Sequence, residues 1–486
     1  MARLRTRKEE EGNMRSTPFH RHTDGVVCAE VAPMMRSRRP LFKSINRLTG
    51  RVLERTVRIR EVNIMKRFAL LLCLTTAGCA SSQRPAAADR WLLTGTRLYV
   101  APDAPPLDDA WVLVSGGKIE AVGSASDAPP AGVRREDACG GGVITAGFQN
   151  SHVHFTDPAF AGAADRPRDE LQQPLSQLTT RFGFTTVVDT GSDPANTGAL
   201  RQRIERGELQ GPAILTVGSP LYPENGIPFY LRDLPPEVLR QLPQPASAEE
   251  ARAIVRTSFE TGAQGTKLFV ATPQGHGEIR RMAADVARAA ADETHRRGGL
   301  VMVHPTDPDG VSDAVQAGAD VIVHTTIDSP KREWSAELVG QMVARHVSVV
   351  PTLQLWGYEL AKADVPTDVR ERLVTGAERQ LMAFSSAGGQ VLFGTDAGYM
   401  TDLDPTQEYV LMAQAGLTPT QILASLTTAP AARWSASERR GRVQPGFDAD
   451  LVVLGGDPAT DVRRFTDVKC TIRAGKTLFV RAPSGH

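Results

Sequence analysis

No two of the five cysteines, Cys28, Cys73, Cys79, Cys139 and Cys470, stand in a Cys-x-x-Cys pair. Their spacing therefore indicates neither a zinc ribbon nor a disulfide framework. A strong overall charge is also missing, the formal net value being +1. That figure hides an asymmetry. Residues 1–64 carry 15 Lys/Arg against 7 Asp/Glu, and the remaining 422 residues carry 41 against 48. The body is thus mildly acidic and offers nothing that calls for a nucleic-acid partner. The short apolar run at 68–74 falls far below the roughly 20 residues a membrane-crossing helix needs. What is present is 41% hydrophobic and 23% charged residues, the balance of a soluble globular protein. At 486 residues the chain exceeds one ordinary domain but fits a single α/β barrel with an appendage.

The front of the chain reads as an addition to that body. Residues 1–64 are Arg-rich, lack a sustained hydrophobic period and stop at Met65. Lys66-Arg67, the apolar run 68–74 and the small residues up to Cys79 then form a secretory signal. The ending Ala77-Gly78-Cys79 resembles the lipobox of bacterial lipoproteins, in which the cysteine is lipidated; Thr76 stands where that pattern prefers an aliphatic residue. A signal cannot act from behind a 64-residue basic leader, so Met65 is the expected start and 1–64 a non-native or disordered extension. The expected location is the periplasm, with a lipid anchor at Cys79 in the outer membrane.

From 91 to 146 the pattern is one of short strands and turns, with Gly116-Gly117 between two apolar runs as a hairpin signal. A similar group closes the chain around 451–454, 470–473 and 477–480. Neither end has enough strands to bury a core alone. A small composite β-sandwich built from both ends, 90–142 and 440–482, is the economical solution. Between them, eight apolar runs alternate with helical segments: 143–145, 185–189, 213–217, 266–270, 300–304, 321–324, 347–350 and 391–393. Capping boxes are expected at Ser247 with Glu250 and at Thr418 with Gln421. A helix from Ile279 would place Met282, Ala283 and Val286 on one face. The expected fold class is α/β, a (β/α)8 TIM barrel over 143–439, whose site lies at the C-terminal strand ends.

Polar, ligand-type residues gather at those ends. His152 and His154 follow the first run, and side chains two apart on a strand point the same way. Lys267 lies in the fourth run, His304 ends the fifth, His324 ends the sixth, and Asp396 follows the eighth in Gly394-Thr395-Asp396-Ala397-Gly398. Each has a plain structural alternative. A single strand-end histidine is more often hydrogen-bonded than ligating, and Asp396 could cap a helix. Lys267 is harder to dismiss, because a lysine inside an apolar strand must find a partner. As a set they offer N and O donors without cysteine, which suits zinc and also admits manganese, iron or cobalt. Tyr222, Tyr230, Arg232 and His276 are further candidates in the loops of the same face.

These pieces, with 183–189, Pro351-Thr352-Leu353 and the tail 441–454, carry a resemblance over residues 90–480. The sequence is similar to the amidohydrolase superfamily, in the branch of imidazolonepropionase-like and Xaa-Pro-dipeptidase-like metal hydrolases. Gln149-Asn150-Ser151 departs from the family's usual Ile-Asp-x or Ile-Asn-x before the histidine pair. The resemblance implies hydrolysis of an amide or peptide C–N bond of a small-molecule substrate by water activated on a divalent metal, with Asp396 moving the proton. Catalytic roles fall to Asp396 and His324. The implied metal ligands are His152, His154, Lys267, His304, His324 and Asp396, with two ions, zinc foremost, if CO2 has carbamylated Lys267. An exported dipeptidase is the leading expectation. A cyclic-amide hydrolase of the imidazolonepropionase kind and a non-catalytic metal-binding envelope protein are the alternatives. Cys139 and Cys470, both in the composite sandwich, either pair in an oxidising periplasm or stay as two buried thiols. Substrate identity and oligomeric state have no readable code. Protein from the native host should lack residues 1–64 by N-terminal sequencing or intact mass, and Cys79→Ser should leave the membrane fraction. A mature chain that retains the leader would overturn the first expectation.

Overall fold

The computed structural model describes residues 90–327 and 333–482; the expected leader, signal and Cys79 lie outside the described residues. The first strands are β1 (Arg90–Leu98), β2 (Leu107–Ser115), β3 (Lys118–Gly123), β4 (Arg134–Arg135), β5 (Gly142–Ala146), β6 (Phe148–Val153), β7 (Phe184–Asp189) and β8 (Ala213–Thr216). Next come β9 (Gly265–Phe269), β10 (Ala271–Gly275), β11 (Glu278–Arg281), β12 (Leu300–His304), β13 (Val321–Val323) and β14 (Ser348–Val350). The chain closes with β15 (Leu451–Leu454), β16 (Val468–Arg473) and β17 (Lys476–Val480). It divides into two compact units, a central one at Val217–Gly389 and an outer one made of 90–216 with 390–482. Among the described residues no helix is long and apolar enough to cross a membrane.

In the outer unit both chain ends enter one eight-stranded mixed sheet, in the order β17-β16-β15-β5-β1-β2-β3 with β4 on β1. The period-2 alternation of strands explains its two apolar faces. Leu93, Val112 and Val114 point into the main cluster with Ile144, Leu451, Val453 and Ile472, while Leu92, Trp111 and Leu113 form a smaller cluster of their own. The β2–β3 hairpin turns on Gly116 and Gly117, with φ of 57° and 78°. Two consecutive positive φ values are what a tight hairpin turn of this twist demands. A disulfide joins Cys139 to Cys470 across 331 residues of chain, with the Cα atoms 5.5 Å apart.

One boundary differs from the sequence reading. The run 143–145 is not the first strand of the parallel series. It lies in β5, which pairs parallel to β1 and antiparallel to β15, so it belongs to the end-built sheet. The reason is that all five β5 residues are buried, and a short apolar run reads alike in any strand covered on both faces. The parallel series of this unit starts one strand later, as β6-β7-β8, with helices Arg168–Leu178 and Pro194–Glu205 as the crossovers. The run 391–393 adds no named strand, yet Phe393 O accepts a hydrogen bond from Ser151 N in β6 at 2.7 Å.

In the central unit β9, β12, β13 and β14 form a four-stranded parallel sheet. Its crossovers include Ala284–Arg296, Pro308–Ala317 and Ala336–Ala344. The helix expected from Ile279 begins at Ala284 instead. Residues 271–281 form the β10–β11 hairpin, because Gly275, His276 and Gly277 all take positive φ and reverse the chain. Thr418 and Gln421 make the expected reciprocal capping box. Ser247 caps its helix, but the Glu250 carboxylate accepts from Ala246 N, one residue before the cap. Among the described residues hydrogen bonding forms these separate parallel sheets and no closed eight-stranded ring.

The disulfide ties together chain ends that the sheet also pairs. A non-reducing peptide map should recover the Cys139–Cys470 linkage. Cys470→Ser should cost about 2–5 kcal/mol of stability, read as a lower Tm. Two alkylatable thiols at these positions in the unreduced protein would refute the linkage.

Candidate metal and catalytic site

The candidate side chains of the outer unit come from the end of β6 and the segment beside it. His152 N donates to Asn150 Oδ1 at 3.1 Å, and Asn150 Nδ2 donates to Thr395 Oγ1 at 2.9 Å. Asp396 N donates to His152 O at 3.0 Å, and His154 N donates to Ala397 O at 2.8 Å. The segment 395–397 is thereby sewn to the histidine strand. Gly398 completes the fit, since at its φ of 96° a Cβ would collide with the His154 carbonyl. Asp396 itself holds a left-handed φ of 62°, which a non-glycine residue adopts at a cost.

The result is three donor atoms in mutual contact. Asp396 Oδ1 lies 2.9 Å from His154 Nε2 and 3.1 Å from His152 Nε2, and the two nitrogens are 3.1 Å apart. The side chain of His152 is 1% exposed and that of His154 16%. Burial alone would raise the Asp396 pKa, but the charge and hydrogen bonds of His152 and the hydrogen bond of His154 hold it well below the ordinary carboxylate range. Protons account poorly for this triangle. If both nitrogens carried a hydrogen aimed at the same oxygen, the two N–H groups would crowd each other. A cation satisfies all three atoms at once. Donors about 2.0–2.1 Å from one tetrahedral ion sit about 3.3–3.4 Å apart, close to the separations here. The residues fit a divalent metal.

A second group of candidates assembles in the central unit. Lys267 is 2% exposed within β9, all of whose residues are buried. Its Nζ stands 5.6 Å from the centre of the Phe269 ring. Phe269 stacks on His304 at 4.5 Å, and His304 meets His324 edge-on at 4.9 Å. His324 follows β13 with a φ of 77°, and its N donates to Val350 O at 2.8 Å. Its Nδ1 lies 2.6 Å from Thr352 Oγ1, whose hydroxyl donates to Pro351 O at 2.9 Å. With that proton committed, Thr352 accepts from Nδ1–H, which puts the lone pair of a neutral His324 on Nε2.

Of the six candidates, His152, His154 and Asp396 stand together in the outer unit, while Lys267, His304 and His324 lie in the central one. The weaker loop candidates have other contacts. Tyr222 stacks on Phe269 at 4.7 Å, and burial pushes its phenol well above the usual range. Arg232 donates to Gln274, and His276 sits in the β10–β11 turn. Sequence reasoning missed Asn150 and Thr352 as braces of the histidines. A polar residue two before the first histidine and one within Pro-Thr-Leu were the only available signals. His152→Ala should lower bound metal, measured by elemental analysis, with the backbone circular dichroism unchanged. Full metal retention would remove His152 from the ligand set.

Residues 143–478 match the family model described as "Amidohydrolase family". Ochratoxinase of Aspergillus niger is 22% identical over 426 residues, covering 78% of this chain and 84% of that protein. Allantoinase of Streptomyces avermitilis is 28% identical over 229 residues, 47% of this chain and 44% of its own. Among solved structures, a Xaa-Pro dipeptidase with bound methionine superposes with a TM-score of 0.67 at 21% identity, over 80% of this chain and 99% of the other. The A. niger ochratoxinase structure does so at 0.67 and 19%, over 82% and 97%. These likenesses imply a TIM-barrel-like α/β fold, and the chain belongs to the amidohydrolase family, whose members are metal-dependent hydrolases of C–N bonds.

Proposed function

We propose that this protein is an exported amidohydrolase that cleaves a peptide or small amide with the help of two divalent ions. The observation that carries the reading is the His152–His154–Asp396 triangle, three buried or half-buried donors about 3 Å apart in a chain of this family. His152, His154 and Asp396 would hold one ion, and His304 and His324 the other. Lys267, buried within its strand, would contribute to holding the metal as a carbamate. Addition of CO2 to the neutral amine forms an N–C bond and releases a proton. The ammonium, which a dication would repel, becomes an anionic pair of oxygens. Zinc is the favoured metal for this N and O donor set. When bound, such ions acidify a water near neutral pH and polarise the scissile carbonyl.

The chain's own part is proton transfer and orientation. Asp396, kept ionised by the imidazoles beside it, takes the proton of the attacking water and delivers it to the leaving nitrogen. Thr352 fixes the His324 ring through Nδ1. Export to an oxidising compartment is supported by the Cys139–Cys470 linkage, since structural disulfides are rare in the cytosol. The solved dipeptidase with bound methionine makes dipeptides the first substrates to try.

Metal analysis and a panel of dipeptides and small amides test the reading. Asp396→Asn should lose about 10²- to 10⁴-fold in turnover. Turnover of cyclic amides alone would redirect the substrate assignment, and bound metal without any turnover would favour a scaffold. Lys267→Ala should reduce two metals per chain to one or none, with partial rescue by short carboxylates. A wild-type enzyme fully active with one metal per chain would refute the two-metal reading.

A further inference from the structure

Asp189, at the end of β7, is 1% exposed and is not among the expected ligands. A buried carboxylate is costly unless its oxygens are hydrogen-bonded. This one accepts four bonds. Oδ1 takes Gly191 N at 3.3 Å, Ser192 N at 3.1 Å and Ser192 Oγ at 2.6 Å, and Oδ2 takes Thr197 Oγ1 at 2.6 Å. The adjoining helix Pro194–Glu205 does not need it as a cap, because the Asp193 side chain already accepts from Ala195 N. What remains is the reach to Ser192. Phe155 N donates to Ser192 Oγ at 2.6 Å. A serine has one proton, and Asp189 can only accept, so the Ser192 hydroxyl points to Asp189 and turns a lone pair to the Phe155 N–H.

Phe155 is the residue directly after His154. In the same turn Thr190 N donates to Val153 O at 3.1 Å, and His154 N is held by Ala397 O at 2.8 Å. Three successive residues are therefore clamped, and two of the three bonds come from the turn that Asp189 organises. We propose that Asp189 and Ser192 are positioning residues for His154, fixing its main chain so that Nε2 meets His152 Nε2 and Asp396 Oδ1 at donor–donor distance. This rests on the reading of that triangle as a metal site. Partners beyond the ligands typically set metal affinity by 10- to 100-fold.

The test uses the full chain freed of metal and titrated with Co²⁺, followed by calorimetry and by visible absorption. Ser192→Ala removes the acceptor facing Phe155 N–H without touching a ligand. It should weaken Co²⁺ binding about 10- to 100-fold and shift the Co²⁺ absorption band. Ser192→Thr, which keeps the hydroxyl, should restore both. Asp189→Asn should reproduce the weakening, and it keeps the test available should Ser192→Ala fail to fold. Wild-type affinity and spectrum in a folded Ser192→Ala protein would overturn the proposal, including when its Tm falls, since that outcome is a purely structural role. If the wild-type chain takes up no Co²⁺, the metal reading itself fails, a result distinct from metal binding that ignores Ser192.

Discussion

The arrangement depends on one buried carboxylate oxygen shared by two imidazoles. Asp396 Oδ1 sits within 3.1 Å of both His152 Nε2 and His154 Nε2, away from water. Such a carboxylate is stabilised by positive charge or hydrogen-bond donors supplied where it points. The surrounding backbone is spent on keeping it there. Asp396 N is bonded to His152 O, Ala397 O receives His154 N, and Gly398 leaves room that a side chain would fill. Strained φ values occur where these bonds require them, at Asp396 here and at His324 and Thr352 in the central unit. That is the usual cost of holding functional groups in one geometry.

The outer unit shows how such a site is given a rigid base. Its sheet takes strands from both chain ends, and β5 is the joint: β1 on one side, β15 on the other, and the histidine strand β6 beginning two residues later. Gly147 N bonds to Asp450 O at 2.7 Å at that junction, so the tail of the chain holds the root of the strand that carries His152. Burial of Leu93, Val112, Ile144, Leu451 and Val453 in one cluster, and the Cys139–Cys470 linkage, make the end-built sheet cohere. Hydrophobic burial of this kind is non-directional; the strand register converts it into position.

Much of the site was legible residue by residue. His152, His154 and Asp396 stood out because metal chemistry needs N and O donors at strand ends, and an x-His-x-His spacing on a strand sends both rings one way. Lys267 stood out because an amine in an apolar strand needs a reason. Less legible were the residues that brace a candidate ligand through its main chain or its ring. Asn150, Ser192 and Thr352 look like any small polar residue in sequence, and their partners lie 245, 37 and 28 positions away. Local pattern does not encode a partner at that separation.

The sequence by itself determined the alternation of strands and helices, the Gly116-Gly117 hairpin, the Thr418–Gln421 cap and the identity of the candidate ligands. All of these rest on periodicity, on local backbone preference or on the chemistry of one side chain. Tertiary structure alone decided which sheet the run 143–145 joins, since apolar residues carry no address for their partner strand. It decided that 271–281 folds as a hairpin, that Cys139 meets Cys470, and which of the candidate donors actually touch. Each of those outcomes is a pairing between distant parts of the chain, and a pairing is settled only when register, burial and hydrogen bonding are satisfied together.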